Sequence, residues 1–80
     1  LGFQFKFSPD DSIIAGANYN SLTLWDGQIG DQLERIGLSN GAVTDIRFSA
    51  DGTKIVISKN DGPPQINAFG NLSLTIFVFF

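Results

Sequence analysis

The chain has 80 residues, a net charge of −3, 42% hydrophobic residues, and neither Cys nor His. Disulfides, thiolate ligands and imidazole chemistry are therefore excluded, and with them the commonest metal ligand and the commonest general base. The five basic residues, Lys6, Arg35, Arg47, Lys54 and Lys59, stand singly and make no phosphate-binding stripe, so nucleic acid is not an expected partner.

The N-terminal stretch LGFQFKFSPD lacks the basic start and unbroken apolar core of a signal peptide. Its alternation predicts a first strand with Phe3, Phe5 and Phe7 on one face and Gln4 and Lys6 on the other. Pro9 to Asp11 predicts a turn, because Pro presets φ for the first corner and Asp bonds its own backbone there. Ser12 to Ala17, small and mostly apolar, reads as a buried middle strand. Asn18 to Asn20 is the next turn. Ser21 to Trp25 is a third strand, with Leu22 and Leu24 opposite Thr23 and Trp25. The segment from Asp26 to Asp31 turns again. Gln32 to Ile36, irregular in its alternation, is expected as a half-exposed outer strand.

The pattern then restarts. Phe7-Ser8-Pro9-Asp10 recurs as Phe48-Ser49-Ala50-Asp51, an offset of 41 residues. At the same offset Phe5 meets Ile46, Lys6 meets Arg47, Ile14 meets Ile55, Trp25 meets Ile66, Asp26 meets Asn67 and Leu33 meets Leu74. An internal repeat of about 40 residues with four strands per unit points to the blades of a propeller. The expected fold class is all-β: four-stranded antiparallel meander blades, about two of them. The expected division is a first blade over 1–36, a linking loop over 37–42 and a second blade over 43–80. Pro63-Pro64, where a third strand of the second unit should start, restricts that strand to its first residues or to a sheet edge.

The stretch FKFSPDDSIIAGANYNSLTLWDGQIGDQL resembles one unit of the WD-repeat β-propeller family, and VTDIRFSADGTKIVIS resembles the opening half of a second. The resemblance lies in the Phe-Ser-Pro-Asp turn, the small-residue strand and the Trp25-Asp26 pair placed 18 residues after Phe7. The departures are specific. The Gly-His pair that often precedes a blade is absent from Gly37 to Val43, and Tyr19 stands where the family often has an Asp. Ile66 stands where the second unit would have its Trp. The buried hydrogen-bond network of His, Asp, Ser or Thr, and Trp that the family uses therefore cannot form.

Rings typically take four to eight blades, and about three repeats are needed for stability. At this length a lone chain buries only about 60% of its unfolded surface. The expectation is an excerpt of a larger propeller; self-association of blades, or a small self-associating β domain, is the alternative. The C-terminal LSLTIFVFF is uncharged, free of Pro and rich in β-formers, an aggregation signature when exposed. It is far shorter than the roughly 20 residues of a spanning helix, so no membrane role is expected.

No residue constellation predicts chemistry. Asp10, Asp11 and Asp51 sit beside Pro9 and Gly52 and read as turn acids. Ser8 and Ser49 have no activating base in the chain. Trp25 reads as a packing residue and Asp26-Gly27 as a turn. No catalytic residue, cofactor or metal is expected. The resemblance implies a non-catalytic, cytoplasmic scaffold with protein partners, bound on the face of the ring where the inter-blade loop and the loops joining second to third strands lie. Tyr19, Asn20, Ser39, Asn40, Asn60 and Asp61 are the candidate partner-binding residues. The rival is a wall segment of a propeller enzyme or of a small-ligand-binding propeller.

Overall fold

The computed structural model describes residues 4–18, 21–38, 42–62 and 64–79. It is built of two four-stranded sheets. The first takes its strands in chain order: β1 (Gln4–Phe7), β2 (Ile13–Ala17), β3 (Ser21–Asp26) and β4 (Gln32–Gly37). All its pairings are antiparallel, with Phe7 opposite Ile14 and Ile14 opposite Trp25. The β3–β4 register shifts between Leu24 and Trp25, where Leu33 is the extra residue. That bulge is the physical source of the irregular alternation in Gln32 to Ile36. β4 lies at the sheet edge, as its half-polar sequence predicts.

The second sheet contains β5 (Val43–Phe48), β6 (Lys54–Lys59), β7 (Gln65–Phe69) and β8 (Leu74–Phe79), with a 3₁₀ turn over Gly70–Leu72 between the last two. Its order is β5-β6-β8-β7. β5–β6 and β7–β8 are antiparallel hairpins, while β8 runs parallel to β6. The chain leaves β6, passes over one strand position, descends along the edge as β7 and returns between as β8. The sequences explain the exchange. β8 is apolar on both faces, with Leu74, Ile76 and Val78 on one side and Phe77 and Phe79 on the other, which suits a strand covered on both faces. β7 follows Pro64 and carries Gln65 and Asn67, which suits an edge.

This exchange corrects one correspondence. Ile66 does not take the place of Trp25. Trp25 pairs with Ile14, whose repeat partner Ile55 pairs with Ile76. The third-strand position is therefore held by Ile76, and Ile66 is exposed on the edge strand.

The sheets pack face to face over one core. From the first sheet come Ala15, Ala17, Leu22, Leu24 and Ile36; from the second come Ile46, Ile55, Ile57, Leu74, Ile76 and Val78. Fully burying each Leu or Ile side chain contributes about 1.5–3 kcal/mol. Two cross-sheet hydrogen bonds set the alignment. Gln4 Nε2 donates to the Val43 carbonyl (3.3 Å) and Gln65 Nε2 to the Gly37 carbonyl (3.1 Å). β1 thus stacks on β5 and β4 meets β7. Phe5 and Phe7 lie on the opposite, outer face of the first sheet and are 55% and 56% exposed.

Candidate functional site

The cross-sheet bonds bring the starts of β1, β5 and β7 and the end of β4 to one end of the molecule. The antiparallel hairpins put the end of β2, the start of β3 and the end of β6 there too. The described strand ends that flank the expected loops therefore lie together at this end.

Asn60 fastens two of these loops together. Its side-chain Oδ1 accepts from the Ala42 N–H (2.8 Å), and its own N–H donates to the Ala42 carbonyl (3.0 Å). The segment that joins the sheets is thereby tied to the exit of β6. Asp61, the next residue, is exposed and accepts only from the Gly62 N–H (2.8 Å) among the bonds described. In the β2–β3 connection Asn18 Oδ1 accepts from both the N–H and the hydroxyl of Ser21 (3.2 and 3.1 Å), and the Asn18 N–H donates back to the Ser21 carbonyl (3.1 Å). Asn is suited to this local bridging. Tyr19, Asn20, Ser39 and Asn40 lie outside the described residues. Asn60 and Asp61 are side by side at the loop end. Asn18, Ala42, Gln4 and Gln65 were not singled out from sequence: contacts across sheets leave no periodic signal, although an Asn beside a turn is a usable one.

The opposite end is built by two copies of one turn. Asp10 Oδ1 accepts from the Ser12 hydroxyl (2.7 Å), the Ser12 N–H (3.0 Å) and the Ser8 hydroxyl (2.9 Å), while Ser8 Oγ accepts from the Ile13 N–H (3.1 Å). Asp51 Oδ1 accepts from the Ser49 hydroxyl (2.6 Å), the Thr53 hydroxyl (2.7 Å) and the Thr53 N–H (3.0 Å), and Ser49 Oγ accepts from the Lys54 N–H (3.0 Å). The donors favour the charged carboxylate. The Ser12 hydroxyl and N–H, then the Ser8 hydroxyl, hold Asp10 down to about 2 from 3.8. The Ser49 hydroxyl and the Thr53 donors hold Asp51 lower still. Each carboxylate is engaged in its own turn, and each Ser hydroxyl donates to an acid whose lowered pKa makes it a weak base.

Asp26 is likewise a turn acid: its Oδ1 accepts from the N–H groups of Gln28 (2.8 Å) and Ile29 (3.1 Å). Trp25 is half-buried on the outer face, tilted against Phe5 with ring centroids 6.0 Å apart. Its ring lies over Gly16, where a Cβ would come within 2.6 Å of it.

Between β1 and β5 a groove of about 400 Å³ is lined by Lys6, Phe7, Pro9, Ile46, Arg47 and Phe48. Arg47 Nε donates to Asp45 Oδ2 (2.7 Å), and that bond lowers the Asp45 pKa and raises that of Arg47. The groove holds two cations and no general base. Among the described residues no three His, Cys, Asp or Glu gather to hold a metal ion. No helix among them is long and apolar enough to cross a membrane.

Three curated proteins are similar to this chain. It is 31% identical over 52 residues to eukaryotic translation initiation factor 3 subunit I of Culex quinquefasciatus. It is 33% identical to the same subunit of Anopheles gambiae over 52 residues and of Aspergillus niger over 64. The matches cover 65% to 78% of this chain but span only 16% to 19% of the relatives' length. No protein-family profile matches, and no solved structure matches. The similarity and the two four-stranded sheets agree with the WD-repeat resemblance at the level of the family. They give no activity to this segment.

Proposed function

We propose that the chain supplies two consecutive WD-repeat-like blades, over 1–36 and 43–80 with 37–42 between them, to a non-catalytic, cytoplasmic propeller that holds a protein partner. The remaining blades lie outside these 80 residues. The observation that carries the reading is the joining of the inter-blade segment to the β6 exit through Asn60 and Ala42. That bond presents neighbouring loops from two blades as one surface. The acids, serines and tryptophan that could suggest chemistry are all engaged in turns or in ring packing. The relatives' name, a subunit of an initiation factor, supports a partner that is another protein of an assembly. Tyr19, Asn20, Ser39, Asn40, Asn60 and Asp61 are the proposed contact residues, and Tyr19 is the aromatic anchor.

The test is binding with the intact parent protein. A partner that co-purifies at fixed stoichiometry is expected to be lost on Tyr19→Ala and on Asp61→Arg, with the thermal midpoint unchanged. Retention of the partner by both variants, or turnover of a small substrate by the parent, would overturn the reading.

A further inference from the structure

Aspartate is followed by glycine three times, at Asp26-Gly27, Asp51-Gly52 and Asp61-Gly62. Such a pair is prone to cyclise, because glycine has no side chain to shield its nitrogen from the preceding carboxyl and leaves the backbone free to turn. The fold treats the three pairs differently.

In the first two pairs both reacting groups are turned elsewhere. The Gly27 N–H donates to the Ser12 carbonyl (2.8 Å), while Asp26 Oδ1 accepts from the Gln28 and Ile29 N–H groups. A Cβ on Gly27 would stand 2.0 Å from the Asp11 carbonyl oxygen, so close packing fixes that peptide as well. The Gly52 N–H donates to the Ser49 carbonyl (3.0 Å), while Asp51 Oδ1 accepts from the Ser49 and Thr53 hydroxyls and the Thr53 N–H. These donors favour the ionised carboxylate, which is the less electrophilic form. In the third pair the glycine nitrogen points at its own neighbour. The Gly62 N–H donates to Asp61 Oδ1 (2.8 Å), and among the bonds described neither group has another partner. Asp61 is exposed, and Gly62 has φ 106°, a conformation that glycine adopts without strain.

We propose that Asp61 is the site at which this protein forms isoaspartate, through a succinimide closed by the Gly62 nitrogen. That nitrogen gives up its proton and attacks Cγ of Asp61 in its acid form. The N–Cγ bond forms, the Cγ–OH bond breaks, and the hydroxyl leaves with the proton as water. The step is redox-neutral and needs no co-reactant. Water then opens the ring. Breaking the N–Cγ bond restores Asp, whereas breaking the original peptide bond to Gly62 leaves a chain that runs through Cβ and Cγ. The fold contributes proximity of the two reacting groups. The added backbone methylene enters one residue past Asn60, whose bonds to Ala42 tie the inter-sheet segment to the β6 exit. The geometry lies within two adjacent residues, so it depends neither on what the parent adds around this segment nor on the scaffold reading.

The experiment ages the intact parent protein for several weeks at neutral pH and physiological temperature. Its peptides are then mapped by chromatography and mass spectrometry, with each altered residue located by fragmentation. Isoaspartate is labelled with an isoaspartyl methyltransferase and radioactive S-adenosylmethionine. The Asp61 peptide is expected to split into two species of equal mass, one of which takes the label. It should convert at least about ten times faster than Asp26 or Asp51 in the folded parent. Deamidation at Asn40-Gly41 changes the mass and is told apart. In guanidinium chloride the three Asp-Gly pairs are expected to convert at similar rates. Asp61→Glu, which has a slower six-membered ring to close, should lose the label at this position with the thermal midpoint unchanged. An Asp61 peptide that takes no label, Asp26 or Asp51 converting as fast in the folded parent, or the same selectivity after unfolding would overturn the proposal.

Discussion

Gly27 shows how one residue ties two turns together. Its N–H donates to the Ser12 carbonyl (2.8 Å), which draws the β3–β4 turn onto the β1–β2 turn. A Cβ there would stand 2.0 Å from the Asp11 carbonyl oxygen, a backbone atom that cannot move aside cheaply. Gly27→Ala is expected to destabilise the fold by about 1–3 kcal/mol, the cost of overpacking. Gly37→Ala, where a Cβ meets nothing within 4 Å, is expected to stay within about 0.5 kcal/mol. Chemical denaturation of the two variants checks both, and equal effects would deny the close approach. At the opposite extreme of polarity, Asp10 and Asp51 are exposed, yet their neighbours' donors hold both carboxyls below 3.8. A carboxyl with a depressed folded pKa adds stability above its unfolded value, and that stability is lost as the pH falls through the folded one. For Asp10 the window runs from 3.8 down to about 2. The thermal midpoint is expected to fall across this range. In the Asp10→Asn, Asp51→Asn double variant it should start lower at neutral pH and fall less steeply on acidification. An unaltered slope would show that other groups govern acid unfolding.

At the scale of strands, the first sheet was legible because its cues are local. Alternation in Phe5 to Phe7, turn chemistry at Pro9 to Asp11 and the small residues of Ala15 to Ala17 each act within one strand or one hairpin. The second sheet was legible as far as β6, where the repeat of Phe7 to Asp10 carries the pattern. Beyond it the offset of 41 residues kept polarity in phase but could not report which strand lies next to β6. That order is decided by a competition between β7 and β8 for the central position, and the more apolar strand wins. The bulge at Leu33 was visible only as irregular alternation. The shared loop face was an expectation from the family resemblance alone, and the Asn60–Ala42 bond that ties the inter-sheet segment to the β6 exit is a long-range contact with no sequence period. The strand exchange has a direct test. Ile76 is fully buried and Ile66 is 66% exposed. Ile76→Ala is expected to cost about 2–5 kcal/mol and Ile66→Ala no more than about 0.5 kcal/mol, measured by urea unfolding. A plain meander, with β7 beside β6, would place Ile66 in the interior and reverse the order.

For the molecule as a whole, each sheet depends on the other. The inward side chains of the first sheet, Ala15, Ala17, Leu22 and Leu24, are at most 1% exposed, and what covers them is the Ile46, Ile55, Ile57 and Ile76 face of the second sheet. Removing that cover leaves a single four-stranded sheet with apolar residues on both sides, Phe5, Phe7 and Trp25 on one and the former core on the other. A domain of this size has a net stability of only about 0.05–0.15 kcal/mol per residue, so the loss of one partner sheet exceeds what remains. Residues 1–38 made alone are therefore expected to give a disordered far-ultraviolet spectrum. Mixed with residues 42–80 they should regain strand signal with a cooperative melt, because the inner faces and the Gln4–Val43 and Gln65–Gly37 bonds need no covalent link to form. A cooperative melt of the first fragment by itself would mean that the sheet is stabilised by its own edges and turns, and that stacking of unlike faces is not what holds this chain together.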